Sequence, residues 1–301
     1  MSNRVSSPQV YYNNKSATVE ALATALQQGI LSLFLGAGTS ASFGLRTWRG
    51  LVEDCLAAAN RSPLDSNVTY TGVDLAKRMN AFDVTCTQKG LKPLDVIHDI
   101  LYETRDPFTM DAMFSNRLLA SLAAMMMGSR FGCVRQVVTT NYDNVLERYL
   151  AFHGFRTVSI TDSHQTVTDA DNFIFHPHGY LPYKQNRSFS KSIVLSNESY
   201  NIFQNDGQWK TLIMRMMCST MPLMVGASGN DQMTDFYLDI IQHEQRLDRD
   251  TLGFICVGSK EVVGAEAIEQ FLTKRMVPIH FNNWSEMPEF LFDICRRARN
   301  V

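Results

Sequence analysis

The stretch Leu31-Ser-Leu-Phe-Leu-Gly-Ala-Gly-Thr-Ser40 decides the fold. Residues 30–35 are an apolar run with little alternation, which is the pattern of a strand covered on both faces, as in a parallel sheet. Two glycines and a hydroxyl pair follow, at the start of a helix. Glycine has no Cβ and tolerates positive φ, so a ligand can lie against the backbone there. Free N–H groups at a helix start favour an anionic group, typically phosphate. The third glycine of the dinucleotide fingerprint is absent, since position 41 is Ala, so the turn alone is a weak signal.

Outward from this turn, strands and helices alternate. Ser16 is placed to cap a helix over Val19–Gln28, which Gly29 ends. From Trp48 to Gly128 the pattern is helical: Leu51, Val52, Cys55 and Leu56 form one stripe, and Leu91–Tyr102 and Pro107–Met127 are two further segments. Alternation resumes at Cys133. Strands are expected at Val134–Thr139, Thr157–Ile160, Phe173–His178, Ile193–Leu195, Pro222–Gly226, Gly253–Val257 and Val277–Phe281. Helices are expected at Tyr142–Phe152, Gln208–Cys218, Met233–Gln245, Glu261–Arg275 and Met287–Arg299. This order implies an α/β, Rossmann-like, doubly wound and mostly parallel sheet with an inserted helical lobe. The expected organisation is one domain over residues 1–301. It comprises a flexible tail at 1–14, the first strand and glycine loop at 15–46, the helical lobe at 47–130, and the rest of the α/β domain at 131–301. Ligands of such sheets bind beyond the carboxyl ends of the strands, where strand order reverses.

Composition narrows the function. The chain has 301 residues, 45% of them hydrophobic, which is enough for one large core. Its 28 basic and 30 acidic residues leave a formal charge of −2 with no Lys/Arg run, so direct nucleic-acid binding is not expected. The six cysteines include no C-x-x-C pair, which argues against a zinc ribbon and against a disulfide scaffold. Met1–Asn14 lacks an apolar signal core, and no apolar stretch is long enough to span a bilayer, so the expected location is cytoplasmic, away from membranes.

Three further motifs sit at expected strand ends. In Val137-Val-Thr-Thr-Asn-Tyr-Asp-Asn144, a β-branched strand runs into short polar side chains. Asn141 or Asp143 can cap the next helix, but capping does not need Thr140, Asn141, Asp143 and Asn144 together. Asn141 has an amide able to hold sugar hydroxyls through both ends. In Phe173-Ile-Phe-His-Pro-His-Gly179, an aromatic strand delivers two histidines and a glycine. His176 and His178 share a face if the strand continues, but no Cys or carboxylate has complementary spacing, so no metal site is expected. His178, before a glycine, reads as an exposed, working imidazole. In Leu223-Met-Val-Gly-Ala-Ser-Gly-Asn-Asp231, a buried strand ends in small residues whose backbone and Ser228 can line a ligand.

In order, these motifs resemble the sirtuin superfamily. Gly36-Ala-Gly-Thr-Ser40 and Gly44-Leu-Arg-Thr-Trp-Arg49 stand where sirtuins carry Gly-Ala-Gly-Ile-Ser and Gly-Ile-Pro-Asp-Phe-Arg. Thr139-Thr-Asn-Tyr-Asp143 is similar to Thr-Gln-Asn-Ile-Asp, His178-Gly179 to His-Gly, and Gly226-Ala-Ser228 to Gly-Thr-Ser. The proline and aspartate of the first motif are Arg46 and Thr47 here, and the four zinc cysteines after His-Gly are missing. The chain more closely resembles the zinc-free sirtuin-like effectors of bacterial anti-phage systems.

That resemblance implies an NAD+ glycohydrolase (NADase) domain that splits NAD+ into nicotinamide and ADP-ribose, depleting the dinucleotide in abortive infection. NAD+ is then the substrate, with no other cofactor and no zinc. The resemblance implies Gly36, Ala37, Gly38 and Ser40 around the pyrophosphate, Trp48 near the nicotinamide ribose and Arg49 near a phosphate or ribose. Thr140, Asp143 and Gly226 join the binding set, and Ser228 and Asn282 hold the adenosine side. Asn141 positions ribose and water, and His178 is the general base. The alternatives are an NAD+-dependent protein deacylase and a non-catalytic sensor of NAD+ or ADP-ribose. Because the chain has no room for a separate sensor, control is expected from homo-oligomerisation or a separate sensor or activator protein; the resemblance implies an ATPase, an Argonaute-like protein or a nucleotide-metabolism-enzyme-like protein. Met214, Met216, Met217, Met221 and Met224 are either core filler or an interface.

Overall fold

In the computed structural model, seven strands form one sheet in which every adjacent pair is parallel. The structure describes residues 7–102, 108–128, 133–165, 169–184, 193–227, 250–259 and 263–300. The strands are β1 (Leu31–Leu35), β2 (Gln136–Thr139), β3 (Thr157–Ile160), β4 (Asn172–Phe175), β5 (Met221–Val225), β6 (Gly253–Val257) and β7 (Met276–His280). Their order across the sheet is β3-β4-β2-β1-β5-β6-β7.

Alternate residues of each strand feed two separate cores, because successive side chains point to opposite faces. Leu31, Leu33, Leu35, Val137, Leu223, Val225, Phe254, Cys256, Val277 and Ile279 join one cluster. Phe34, Val138, Met224, Ile255 and Val257 join the other. The first face is covered by α2 (Lys15–Gln27), by α8 (Arg117–Met127) and by the final helix α13 (Met287–Asn300), which packs against both. The second is covered by α10 (Asn197–Asn205), α11 (Gly207–Ser219) and α12 (Ala265–Thr273), through Tyr200, Phe203, Trp209, Ile213 and Phe271.

Between β1 and β2 the described secondary-structure elements are all helices: α3 (Ala37–Ala41), α4 (Trp48–Ala58), α5 (Gly72–Gln88), α6 (Pro93–Tyr102), α7 (Met110–Ser115) and α8. Thr71 and Asp74 form a reciprocal capping box at the start of α5. After β2 the chain forms α9 (Val145–Phe152).

Several expectations need correction. Residues 1–14 are not uniformly a loose tail: Pro8–Tyr12 form helix α1 against β7, with the Tyr11 ring on Phe254 and the Tyr12 ring on His280. Helix α2 is capped by Asn14, whose side chain accepts from Ala17 N at 3.1 Å, rather than by Ser16. Residues 142–144 stay outside α9. Ile193–Leu195 is not a strand; Val194 N donates to His178 O at 2.8 Å, beyond the end of β4, with no ladder to extend. Strand β4 stops at Phe175, so His176 and His178 lie in the following turn. Helix α12 begins after Gly264, at φ 78°; Glu261, the expected start, lies outside the described residues. The helix expected at Met233–Gln245 lies outside the described residues.

Strand order reverses between β1 and β5, and there the loops that follow the two strands cross. Gly36 N donates to Val225 O at 2.9 Å and Gly38 N to Gly226 O at 3.0 Å. A Cβ at Gly36 would lie 2.6 Å from Gly226 O, and one at Gly226, at φ 72°, would lie 2.6 Å from Thr39 N. The expectation that these glycines clear space for a ligand is therefore revised. They clear space for each other's backbone, and the N–H groups of Gly36, Gly38 and Thr39 already donate within the crossing.

Gly36→Ala is expected to lower stability by about 3 kcal/mol, since an added methyl meets backbone that cannot turn aside. Gly50→Ala, in α4 with no neighbouring atom nearer than 3.4 Å, is expected to raise it by about 0.5–1 kcal/mol. Urea unfolding of both variants checks this; equal effects would refute the crossing as the reason for Gly36.

Candidate active site

The ends of β1, β2, β4 and β5 converge on a cleft of about 1420 Å³. Gly38, Ser40, Thr140, Asn141, Asp143, His178 and Gly226 line it from the sheet side. Trp48, Arg49 and Tyr70 line it from the helical region, and Trp284 and Ser285 close it beyond β7.

Asn141 is the centre of the hydrogen bonding. Its Nδ2 lies 3.1 Å from Gly36 O, 3.0 Å from Thr39 Oγ1 and 2.8 Å from Ser40 Oγ. A carbonyl only accepts, so Gly36 O fixes which end of the amide faces the glycine loop. Ser40 Oγ in turn donates to Asp143 Oδ2 at 2.6 Å, and Asp143 Oδ1 accepts from Val145 N at 3.1 Å. Asp143 thus serves the start of α9 and the Ser40 hydroxyl together. Burial raises the Asp143 pKa, and the Ser40 hydrogen bond opposes that rise. The Ser40 hydroxyl is spent inside the protein, which leaves its backbone, not its side chain, for a ligand.

Three buried polar atoms of the cleft residues have no hydrogen-bond partner among the described residues: Asn141 Oδ1, His178 Nε2 and Trp48 Nε1. Leaving such a group unmet costs about 1–3 kcal/mol each, so their coincidence in one cleft points to a ligand that meets them.

The two histidines diverge. His176 turns away from the cleft, with Nδ1 3.1 Å from Asn141 O and Nε2 2.6 Å from Glu147 Oε1. His178 faces the cleft between the edges of Tyr200 and Phe203, at centroid distances of 5.6 and 5.2 Å. The expectation of an exposed imidazole is corrected: His178 is 3% exposed. Burial alone pushes its pKa down to about 3. The imidazole is therefore neutral at ordinary pH, a good hydrogen-bond acceptor and a weak base.

The remaining expected residues are placed as follows. Ala37 lines the cleft, and Thr140 N continues the β1–β2 ladder by donating to Leu35 O at 3.0 Å. Arg49 pairs with Glu53 at 2.9 Å, with its guanidinium 5.8 Å from the Tyr70 ring. Asn282 is exposed, and the cleft wall beside it is made by Trp284 instead. Ser228 lies outside the described residues. Met216, Met217 and Met224 are buried in one core, with half-buried Met214 packed against it, and Met221 is buried in the other, so these methionines fill the cores. Trp284, Tyr200 and Glu147 were missed. Trp284 carried a readable signal, as an aromatic just past the last strand; Tyr200 and Glu147 carried none, because helix packing alone places them. Among the described residues, no group of three or more His, Cys, Asp or Glu could hold a metal ion, and no helix is long and apolar enough to cross a membrane.

A family model described as "SIR2-like domain" matches residues 135–277, a little under half of the chain. The match takes in Asn141, His178 and Gly226 but not the Gly36 loop. Among solved structures, one described as "Structural Basis for the Mechanism and Regulation of Sir2 Enzymes" is similar over 94% of this chain and 97% of its own, at 12% identity and a TM-score of 0.49.

The His178 environment has a consequence for stability. The folded chain refuses a proton down to about pH 3, whereas an unfolded histidine takes one below about 6.5. Between those values the unfolded state binds more protons, so stability is complete above pH 6.5 and falls as pH falls, by up to about 1.4 kcal/mol per pH unit from this group. Urea unfolding at pH 7 and pH 5 should show a larger drop for wild type than for His178→Gln. Equal drops would mean that His178 is not buried as a neutral group.

Proposed function

We propose that this chain hydrolyses NAD+ to nicotinamide and ADP-ribose in the cleft at the β1/β5 crossing. The observation that carries the reading is the convergence of Asn141 Oδ1, His178 Nε2 and Trp48 Nε1, three buried atoms without partners, in one cleft. The SIR2-like match over residues 135–277 supports it, as does the motif resemblance. The cleft exceeds the roughly 300–1,000 Å³ of ordinary small-molecule sites, which suits an extended dinucleotide.

Nicotinamide is a cationic leaving group, so its departure needs little acid help and leaves an oxocarbenium-like ribose. The protein's task is to place a water and to stabilise the developing positive charge. Asn141 Oδ1 accepts from a ribose hydroxyl or from that water. His178 Nε2 accepts a second hydrogen bond and aligns the water's lone pair. Its low basicity makes it an orienting acceptor first, and it takes a proton only as the C–O bond forms. Trp48 Nε1–H donates to the substrate, and Arg49 lies on the phosphate side. In the cell, NAD+ loss is the toxic output of an anti-phage effector, controlled by self-assembly or by another protein.

Purified protein is to be incubated with NAD+ and the products weighed by mass spectrometry. Nicotinamide and ADP-ribose are expected from wild type. Asn141→Ala and His178→Ala are each expected to lose at least about 100-fold in kcat/KM. Acyl-lysine peptide should not raise turnover; a peptide-dependent rate would favour a deacylase, and calorimetric binding without turnover would favour a sensor. The rate is expected to show no acid limb near pH 6.5, since His178 is neutral well below that value.

A further inference from the structure

We propose that His176 and Glu147 form a positioning pair for Asn141, holding the main chain of its turn so that the carboxamide keeps its place in the cleft. The effect on turnover rests on the function proposed above; the geometric claim does not.

The His176 side chain is fully enclosed and is not part of the cleft wall, so it touches no ligand there. Its Nδ1 lies 3.1 Å from Asn141 O. That carbonyl only accepts, so Nδ1 carries the hydrogen. Its Nε2 lies 2.6 Å from Glu147 Oε1, a separation that needs one proton shared between them. Glu147 belongs to the first turn of α9 and is 8% exposed, and its Oε1 also accepts from Ser159 Oγ at 3.2 Å. A carboxylate this deep is tolerable only when paired and hydrogen-bonded. The pair therefore runs from α9 through the imidazole to one carbonyl, that of Asn141.

Packing around the Asn141 turn is incomplete. Behind it lies a pocket of about 30 Å³, bordered by Leu119, Leu122, Val145 and Ile174 as well as by Asn141 and Asp143. A side chain beside a void lacks the contacts that fix rotamers elsewhere in a core. Asn141 is held by hydrogen bonds at its side chain, through Gly36 O, Thr39 Oγ1 and Ser40 Oγ, and along its main chain, where N donates to Thr139 Oγ1 and O accepts from His176. Releasing the His176 bond lets Oδ1 drift, and misplacement of a reacting group by about 1 Å costs on the order of 100-fold in rate.

The test is amide hydrogen exchange over residues 139–145 in wild type, Glu147→Leu, Glu147→Gln and His176→Phe, with steady-state kinetics alongside. Glu147→Leu and His176→Phe should speed exchange in this turn by at least about tenfold and lower kcat by at least about tenfold, with KM within about threefold, because bound substrate is misaligned rather than lost. Glu147→Gln can still donate to the imidazole and keeps Nδ1–H on Asn141 O, so it should restore both exchange and kcat. A folded Glu147→Leu with wild-type exchange and kcat overturns the proposal, as does Glu147→Gln behaving like Glu147→Leu. Exchange needs no substrate, so a wild type inert toward NAD+ would sink the proposed function while exchange still decides this one. Should the leucine and phenylalanine variants fail to fold, imidazole nitrogen spectra of wild type decide: a proton on His176 Nδ1 is expected, and a bare Nδ1 overturns the proposal.

Discussion

The close crossing of the loops after β1 and β5 is the constraint on which the rest depends. Backbone meets backbone there, with Gly38 N on Gly226 O at 3.0 Å and no room for a Cβ at Gly36 or Gly226. This crossing sets the height at which Gly36 O and Ser40 present themselves to the end of β2. Asn141 spans that gap with its amide, and Asp143 closes the circuit through Ser40. The floor of the cleft is thus one hydrogen-bonded unit made from two loops and a turn.

That unit explains an asymmetry in the site. Most of its polar groups are satisfied internally, including the hydroxyls of Ser40 and Thr39, which a motif reading would have offered to a ligand. Three atoms are left over. Three unmet atoms held on one surface by a hydrogen-bonded frame preorganise that surface, with donors and acceptors fixed before anything binds. The neutral His178 fits the same logic: its aromatic neighbours keep water away and hold its lone pair free.

Much of the fold was legible because burial on both faces writes a distinctive pattern. Met221–Val225 and Gly253–Val257 are apolar throughout and Leu31–Leu35 is apolar apart from Ser32, and each is a fully buried central strand. Ile193–Leu195 has the same composition and is no strand, since a ladder needs a neighbouring edge that short-range sequence does not reveal. Asn14 displaced Ser16 as the cap for a similar reason: either side chain suits the role, and chain entry decides. The polar excess at Thr140–Asn144 falls on a turn that lines the cleft, but which member faces the cleft depends on partners over a hundred residues away. His176 and His178 looked equivalent at a spacing of two. They separate because β4 ends at Phe175 and the next turn sends one inward and one to the cleft.

Sequence separation within that unit bears on when the site comes into existence. The Ser40–Asp143 and Asn141–Gly36 bonds span 103 and 105 residues, and the partner of Gly38 N arrives only with Gly226. Contacts of such high order form late, after the entropy of closing long loops has been overcome. A nascent chain that has emerged only as far as β4 lacks the β5 loop against which the glycine turn is braced. The cleft is therefore a property of the finished chain, and whatever chemistry it performs is withheld from the ribosome-bound fragment.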